Sequence, residues 1–226
     1  MPYAIDCIAT SPCVAIRLPK RSRSAVEEVL TTEQVRNLSG AVPARYAALI
    51  ITGAGTGLRP GELFGLAMEN VDFEAATIRV SQQLVRVRGE GVRVGPLKTQ
   101  SSYREVPLPS VVADALTQHL RNWEPHRDLG LIFTNDREGP IQQHPFAALW
   151  NTAATRLRLP EWASPHDLRH SLPRRCSSGR AVSIKVIQMR LGHASAKTTL
   201  DTYGHLFPDE ADRTRLAIDE ELALSA

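Results

Sequence analysis

The stretch TGLRPGEL, residues 56–63, marks a loop that enters a helix. Pro60 suits the first position of that helix, where the missing N–H would have no helical partner. A glycine-containing loop that leads into a helix N-terminus is a common anion-binding site, and Arg59 lies directly before this helix. Glu62, three residues on, can reach back and orient the guanidinium. An ordinary turn with a surface Arg–Glu pair is the alternative for this stretch alone.

Upstream of the loop, the sequence predicts two helices. Thr31 and Gln34 form a capping box that opens a short helix, and Gly40 is its expected stop. The apolar residues 44–52 predict a second helix, which we expect the three glycines at positions 53, 55 and 57 to break.

Downstream, the pattern changes twice. Residues 77–108 alternate apolar and polar side chains around the turn Gly89-Glu90-Gly91, which predicts a small antiparallel sheet of two or three strands. Everything after Ser110 is predicted to be helical again, except a short apolar run at 131–133. The fold class is therefore α+β, mainly α, with one small antiparallel sheet.

The composition excludes several classes of protein. With 226 residues and 42% hydrophobic residues, the chain can bury a sizeable core, and wholesale disorder is excluded. No apolar run approaches the roughly 18 residues that span a bilayer. Three cysteines without C-x-x-C spacing argue against a disulfide framework or a zinc site, so we expect no metal and a cytoplasmic location.

The net charge of +3 is unevenly distributed. Residues 156–197 contain nine basic residues against two acidic ones: Arg156, Arg158, Arg169, Arg174, Arg175, Arg180, Lys185, Arg190 and Lys197 against Glu161 and Asp167. The end of the chain is acidic and predicts a final helix over about 209–224. A basic body with an acidic tail suggests a polyanion partner, and a solvated mixed-charge surface is the alternative.

Four further segments carry candidate chemistry. In HDLRH, residues 166–170, His166 and Arg169 are i, i+3 neighbours on one helix face, where an imidazole beside a guanidinium suits a phosphate. LGH, residues 191–193, ends a helix and presents His193. Tyr203 follows in a threonine-rich stretch, and Lys98 lies on or near the tip of the sheet. Taken singly, each segment also has a purely structural interpretation. These are a helix start for HDLRH, a helix C-cap for LGH, half-buried packing for the tyrosine and a surface lysine that favours solubility.

Together and in this order, these segments resemble the tyrosine recombinase (phage integrase) family over about residues 27–208. The motifs are TGLRxxEL, a lysine in the sheet, HxLRH, LGH and a tyrosine about ten residues later. The wording HASAKTTLDTYGH, residues 193–205, looks most like integrases of actinobacterial phages and mobile elements. The resemblance implies the fold of the family's catalytic domain, with the site between the sheet edge and the helices.

The resemblance also implies a chemistry. Tyr203 would attack the scissile phosphodiester to give a 3′-phosphotyrosyl link and a free 5′-hydroxyl, which stores the bond energy without ATP. Arg59 and Arg169 would clamp the non-bridging oxygens, and Glu62 would hold Arg59. Lys98 would protonate the leaving oxygen. His166 and His193 would hydrogen-bond the phosphate or assist the tyrosine proton.

The expected partners are double-stranded DNA and other protomers on that DNA. We expect no small-molecule cofactor, no metal and no membrane. Residues 1–26 are interpreted as a remnant linker from a missing N-terminal core-binding domain, and residues 27–226 as the catalytic domain with its acidic final helix. Loss of the core-binding domain, which clamps the DNA together with the catalytic domain in this family, would lower DNA affinity steeply at physiological salt.

A second departure from the family pattern follows HDLRH. Pro173 lies inside an expected helix, where proline costs roughly 3 kcal/mol, and Arg174 and Arg175 take positions expected to be buried. Residues 172–182 can be encoded by a set of codons that has a second reading one nucleotide earlier. That reading encodes an apolar residue followed by Ala-Ala-Ser-Leu-Leu-Ile-Gly-Ala-Gly-Gly. We hypothesise two compensating frameshifts here, with a locally rearranged loop as the alternative; the codons of the gene decide between them.

Three functions remain open at this point. The first is site-specific DNA recombination or integration. The second is a truncated, catalytically impaired relic that only binds DNA or partners weakly. A type IB topoisomerase is the third and is disfavoured by the TGLR and LGH motifs.

Overall fold

The computed structural model describes residues 29–177 and 182–203, and these ranges hold eight α-helices, two one-turn 3₁₀ helices and five short strands. The helices are α1 (Thr32–Ala41), α2 (Ala44–Thr56), α3 (Pro60–Phe64), α4 (Ser110–Asn122), α5 (Gln143–Arg156), α6 (Asp167–Ser177), α7 (Ile184–Leu191) and α8 (Ala196–Tyr203). The strands are β1 (Val71–Asp72), β2 (Thr77–Val80), β3 (Gln83–Val87), β4 (Gly91–Gly95) and β5 (Arg104–Pro107). The mainly α class with antiparallel strands is confirmed. The predicted linker, 1–26, and the predicted acidic helix, about 209–224, lie outside the described residues.

The strands form two separate antiparallel units. Strand β2 lies between β1 and β5, with Ile78 opposite both Val71 and Val106. Strands β3 and β4 pair as a hairpin around the predicted turn. The prediction of one sheet is therefore corrected to a three-stranded sheet plus a hairpin. Strand β1 was not predicted, because two residues are too few to show alternation.

Helix α2 is the centre of the core and packs against α1, α4 and α6. Leu49 and Ile50 are fully buried on it. The predicted break at Gly53 and Gly55 is wrong, because both glycines lie inside the helix where neighbours approach closely. A Cβ on Gly53 would lie 3.0 Å from a Leu63 methyl, and one on Gly55 would overlap Val112.

The ends of α1 and α2 follow from local chemistry. The capping box at Thr31 is present, with both reciprocal hydrogen bonds to Gln34. Helix α1 continues one residue past Gly40 and stops before Pro43. Gly57 ends α2 in the left-handed region, at φ +69°.

The prediction that all residues after Ser110 are helical outside 131–133 is wrong for two connections, 123–142 and 157–166. Pro125, Pro140 and Pro160 interrupt the helical pattern there. The apolar run 131–133 is buried, and the N–H of Ile132 donates to Leu66 O at 2.9 Å. None of the helices in the described ranges has the length and apolar character needed to cross a membrane.

Helix α6 does not stop at Pro173 but continues to Ser177. Arg174 is exposed, so the expectation that it is buried is wrong. Arg175 is half-buried, and its guanidinium donates to Ser171 Oγ and, at 3.3 Å, to Ala54 O. The charge at position 175 is thus accommodated by oxygen acceptors on α6 and α2.

Candidate active site

The C-terminal turn of α7 is where the predicted site residues meet. Three consecutive carbonyls, those of residues 190–192, each accept a hydrogen bond from a different arginine. Arg104 Nε binds the first at 2.7 Å, Arg169 Nη2 binds the second, and Arg59 Nη2 binds the third at 3.1 Å. The carbonyls at a helix C-terminus carry partial negative charge, which favours cations there. Segments far apart in the chain are therefore joined at one helix end.

Glu62 is shared by two of these arginines. Its carboxylate lies 2.8 Å from Arg59 Nη1 and 2.9 Å from Arg104 Nη2, and its side chain is 1% exposed. It also accepts the backbone N–H of Arg59 at 2.9 Å, which caps α3. Burial alone would raise the pKa of Glu62, but the hydrogen bonds and charge of Arg104, with the hydrogen bonds from Arg59, lower it overall. Glu62 is thus an ionised counter-charge, and the structure brings it to Arg59 as the sequence predicted.

Arg104 is a site residue that the sequence reasoning missed. Its side chain is 6% exposed and makes a forked contact with Glu62, together with a 2.8 Å bond to Ser102 O. A signal was available, since residues 104 and 106 share one face of a strand and Val106 is in the core. An arginine on a core-facing strand position indicates a buried partner.

The two arginines predicted to clamp a phosphate differ in exposure. The Arg59 side chain is 32% exposed, whereas Arg169 is 2% exposed. Arg169 Nη1 donates to Gly57 O at 2.6 Å, so it joins the ends of α2 and α7. Burial and the positive charge of Arg59 lower the pKa of Arg169 to about 9, and it stays cationic at neutral pH.

The two predicted histidines also lie near these guanidinium charges. His193 Nδ1 is 2.9 Å from Thr199 Oγ1, and burial with the charges of Arg169 and Arg59 lowers its pKa to about 4. His166 precedes α6 and is largely exposed. Partial burial of its ring and the positive charge of the nearby Arg169 lower the pKa of His166 below the usual range. His193 is therefore neutral at physiological pH.

Tyr203 ends α8 and is only 2% exposed. It belongs to a small apolar cluster with Leu172, Ile187 and Leu191. Burial raises the pKa of Tyr203 to about 12, although the charge of Arg169 acts in the opposite direction. Its hydroxyl lies 2.5 Å from His170 Nδ1, a contact that the sequence reasoning did not assign. The only sequence signal was the position of His170 directly after Arg169.

Lys98 is a predicted site residue that the structure does not bring into contact with the others. It is exposed on the loop after β4, and the described residues offer it no hydrogen bond or ion pair. Its loop is nevertheless tied to the site. Thr99 Oγ1 lies 2.9 Å from Ser102 Oγ, which lies 3.3 Å from Arg59 Nη1.

The described side chains suit an anion better than a cation. Three guanidiniums and one buried carboxylate lie at these helix ends, which leaves an excess of positive charge there. Residues 29–177 and 182–203 contain no group of three or more His, Cys, Asp or Glu side chains arranged to hold a metal ion. A fork of guanidinium N–H donors matches the oxygen atoms of an anion such as a phosphate or a carboxylate.

Residues 28–210 match the phage integrase family. The chain belongs to this family. A tyrosine recombinase XerC of Mesorhizobium japonicum is 31% identical over 82% of the chain and 57% of its own length. A XerC-like tyrosine recombinase of Caldanaerobacter subterraneus is 27% identical over 92% of the chain and 60% of its own length. A putative prophage phiRv2 integrase of Mycobacterium tuberculosis is 28% identical over 87% and 52%.

Solved structures place this phage integrase family member in the same fold. The Tn1549 transposon integrase, solved with circular intermediate DNA, superposes with a TM-score of 0.72 at 25% identity, covering 85% of this chain and 66% of that one. The XerA recombinase gives a TM-score of 0.62 at 20% identity. The chain spans about three-fifths of the length of the curated relatives that it matches. The fold class predicted from the sequence is thereby confirmed as that of tyrosine recombinase catalytic domains.

Proposed function

We propose that this protein breaks and rejoins double-stranded DNA at specific sites, with Tyr203 as the nucleophile that forms a 3′-phosphotyrosyl intermediate. The observation that carries the proposal is the buried phenol of Tyr203 in contact with His170, the residue next to Arg169, which shares one helix end with Arg59 and Arg104. Recombination or integration is the favoured outcome, because the relatives are named tyrosine recombinases and integrases.

The first step is binding of the scissile phosphate. Arg59, the more exposed guanidinium, meets the phosphate at the surface, and buried Arg169 adds a fixed positive charge behind it. Charge grows on the non-bridging oxygens as phosphorus becomes five-coordinate, so preorganised donors lower the barrier. Glu62 and Arg104 keep Arg59 in place, since both are buried and fully engaged.

The second step is transfer of the phosphoryl group. The phenolic oxygen of Tyr203 forms a bond to phosphorus, and the bond to the 5′-oxygen of the next nucleotide breaks. Lys98 donates a proton to that leaving oxygen, for which its loop has to bring it to the DNA. His166 and neutral His193 donate hydrogen bonds to the phosphate. No cofactor is needed, because the phosphotyrosyl bond retains the energy for rejoining.

Exposed basic residues support DNA as the partner. They lie on α5, on the turn that follows it and on the helices that carry the site: Arg156, Arg158, Arg174, Lys185 and Lys197. Lysine and arginine side chains on one segment neutralise backbone phosphates, so binding should weaken steeply with salt. Residues 27–226 would form the catalytic domain, acting with other protomers on DNA in the cytoplasm.

A covalent-adduct assay tests the proposal. The 226-residue protein is incubated with a pool of duplexes that carry a randomised segment and a nick, so that cleavage releases a short strand. Adducts that survive denaturing electrophoresis are recovered and sequenced. We expect an adduct that Tyr203→Phe abolishes and that the control Tyr103→Phe, at an exposed tyrosine, retains. No adduct from the wild type, or an adduct that persists in Tyr203→Phe, contradicts the proposal.

A further inference from the structure

His170 occupies the position at the Tyr203 hydroxyl that sequence reasoning gave to other histidines. Its Nδ1 lies 2.5 Å from the phenolic oxygen, with ring centroids 5.8 Å apart. It is the residue directly after Arg169 on α6, so one helical turn places both a phosphate-binding guanidinium and an imidazole at the reacting atoms. A general base must lie within hydrogen-bond reach of the proton it removes, and His170 meets that condition.

The other two histidines do not meet it. The His193 ring is stacked parallel to the Tyr203 ring, at 3° and 6.4 Å between centroids, and its Nδ1 is engaged with Thr199. The structure gives no hydrogen bond between the two described side chains of His193 and Tyr203. His166 contacts the ring of His170 edge-on at 4.7 Å rather than the tyrosine.

We propose that His170 is the general base of the cleavage reaction, taking the phenolic proton of Tyr203 on Nδ1. This assignment rests on the function proposed above. The imidazole is then neutral before the reaction, with its proton on Nε2 and the Nδ1 lone pair facing the phenol. His166 and His193 are left to contact the phosphate.

The proton balance is complete with the groups present. The O–H bond of Tyr203 breaks and its proton moves to His170 Nδ1, which gives an imidazolium. The phenolic oxygen bonds to phosphorus, the bond from phosphorus to the 5′-oxygen breaks, and that oxygen takes a proton from Lys98. On rejoining, a 5′-hydroxyl gives its proton to Lys98 and bonds to phosphorus, the bond from phosphorus to the Tyr203 oxygen breaks, and the imidazolium of His170 returns its proton to that oxygen. A base is needed because a buried phenol with a raised pKa is scarcely ionised at neutral pH.

Kinetics on a selected duplex test the assignment. The variants are His170→Asn, which keeps a polar atom near the Nδ1 position but cannot take the proton, and His144→Asn at an exposed histidine on α5 as the matched control. Single-turnover adduct formation is measured with the natural 5′-oxygen and with a 5′-bridging sulfur as leaving group. Sulfur leaves without an acid, so it restores variants that lack the acid but not those that lack the base.

We expect His170→Asn to slow adduct formation by about 10²-fold or more with both leaving groups. The control should match the wild type, and Lys98→Ala should be slow with oxygen and near normal with sulfur. A His170→Asn rate within threefold of wild type overturns the assignment, and so does restoration of that variant by sulfur. If the wild type forms no adduct, the proposed function fails and this assignment fails with it; an adduct made normally by His170→Asn overturns His170 alone.

A measurement on the unmodified protein covers the case in which His170→Asn does not fold. In ¹⁵N-histidine-labelled wild type at pH 7.5, the assignment predicts that His170 carries its proton on Nε2 and leaves Nδ1 unprotonated. A proton on Nδ1 would make His170 a donor to the tyrosine and would overturn the proposal.

Discussion

The body of the molecule and the segment that carries the nucleophile are held together by different forces. The body has an extensive apolar core that runs from α1 to the start of α6 and includes Ile50 and Trp150, both fully buried. Within residues 29–177 and 182–203, the tyrosine cluster, defined as Leu172, Ile187, Leu191 and Tyr203, consists of four buried side chains. Hydrogen bonds from three guanidiniums to the carbonyls of residues 190–192 also join this segment to the body. We therefore expect the position of the nucleophile to depend on these polar contacts more strongly than the fold of the body does.

The strongest way to break this arrangement is to remove its shared counter-charge. Glu62→Gln leaves Arg59 and Arg104 close together without a carboxylate, and the loss of one partner from a buried ion pair typically costs about 3–5 kcal/mol. We expect a fall of that order in the free energy of unfolding, measured by urea denaturation, together with loss of adduct formation. Glu69→Gln, at an exposed glutamate nearby, is the control. Equal stability of the two variants would show that the carboxylate does not hold the site.

Matched truncations separate the stability of the body from that of the tyrosine cluster. Ile50→Ala and Ile187→Ala each remove the same atoms from a fully buried isoleucine, and such truncations cost about 2–5 kcal/mol. We expect Ile50→Ala to lower the stability of the whole protein. Ile187→Ala should instead raise hydrogen exchange mainly in residues 184–203, because a small cluster opens locally. Exchange that rises uniformly in both variants would contradict a separate tyrosine cluster.

A smaller effect is expected at the turn that presents the three carbonyls. Gly192 has φ +60°, and a Cβ there would lie 2.9 Å from Ser101 O and 3.2 Å from the Arg104 side chain. Gly192→Ala combines left-handed strain, about 1–3 kcal/mol, with this collision. Gly89→Ala has comparable strain at φ +84° but open space around it. Thermal denaturation should show a larger loss for Gly192→Ala, with slowed adduct formation in that variant alone.

The smallest expected effect is a pH dependence of the site. The pKa of His193 is lowered from 6.5 to about 4, so the unfolded chain binds a proton in that window that the folded protein does not. Stability from this group is therefore present above pH 6.5 and lost as the pH falls towards 4. His166 and His119, whose pKa values are also lowered, act in the same direction. We expect His193→Gln to flatten part of the decline in Tm between pH 6.5 and 4; an unchanged slope would contradict this role.

Local chemistry explains which parts of the fold were predictable. The capping box at Thr31 and the proline at Pro60 act within one helical turn, so the sequence shows them directly. The helical state of Gly53 and Gly55 depends on neighbours from α3, α4 and α6, which no local pattern reveals. A glycine that allows close packing and a glycine that ends a helix look alike in a sequence.

The same distinction applies to the site. The order of the motifs along the sequence identified five site residues that the structure brings together: Arg59, Glu62, Arg169, His193 and Tyr203. Arg104 and His170 were missed because their partners are remote, with Glu62 lying 42 residues from Arg104 and Tyr203 lying 33 residues from His170. The contact of Lys98 with DNA stays a prediction.

The central claim, that Tyr203 becomes covalently joined to DNA, is tested most directly by mapping the adduct. The wild-type protein is trapped on a selected duplex, digested with protease and nuclease, and analysed by tandem mass spectrometry. We expect one modified peptide, with a nucleoside 3′-phosphate on the Tyr203 hydroxyl and a free 5′-hydroxyl on the released strand. A nucleotide on any other side chain, or a link through a 5′-phosphate, would contradict it.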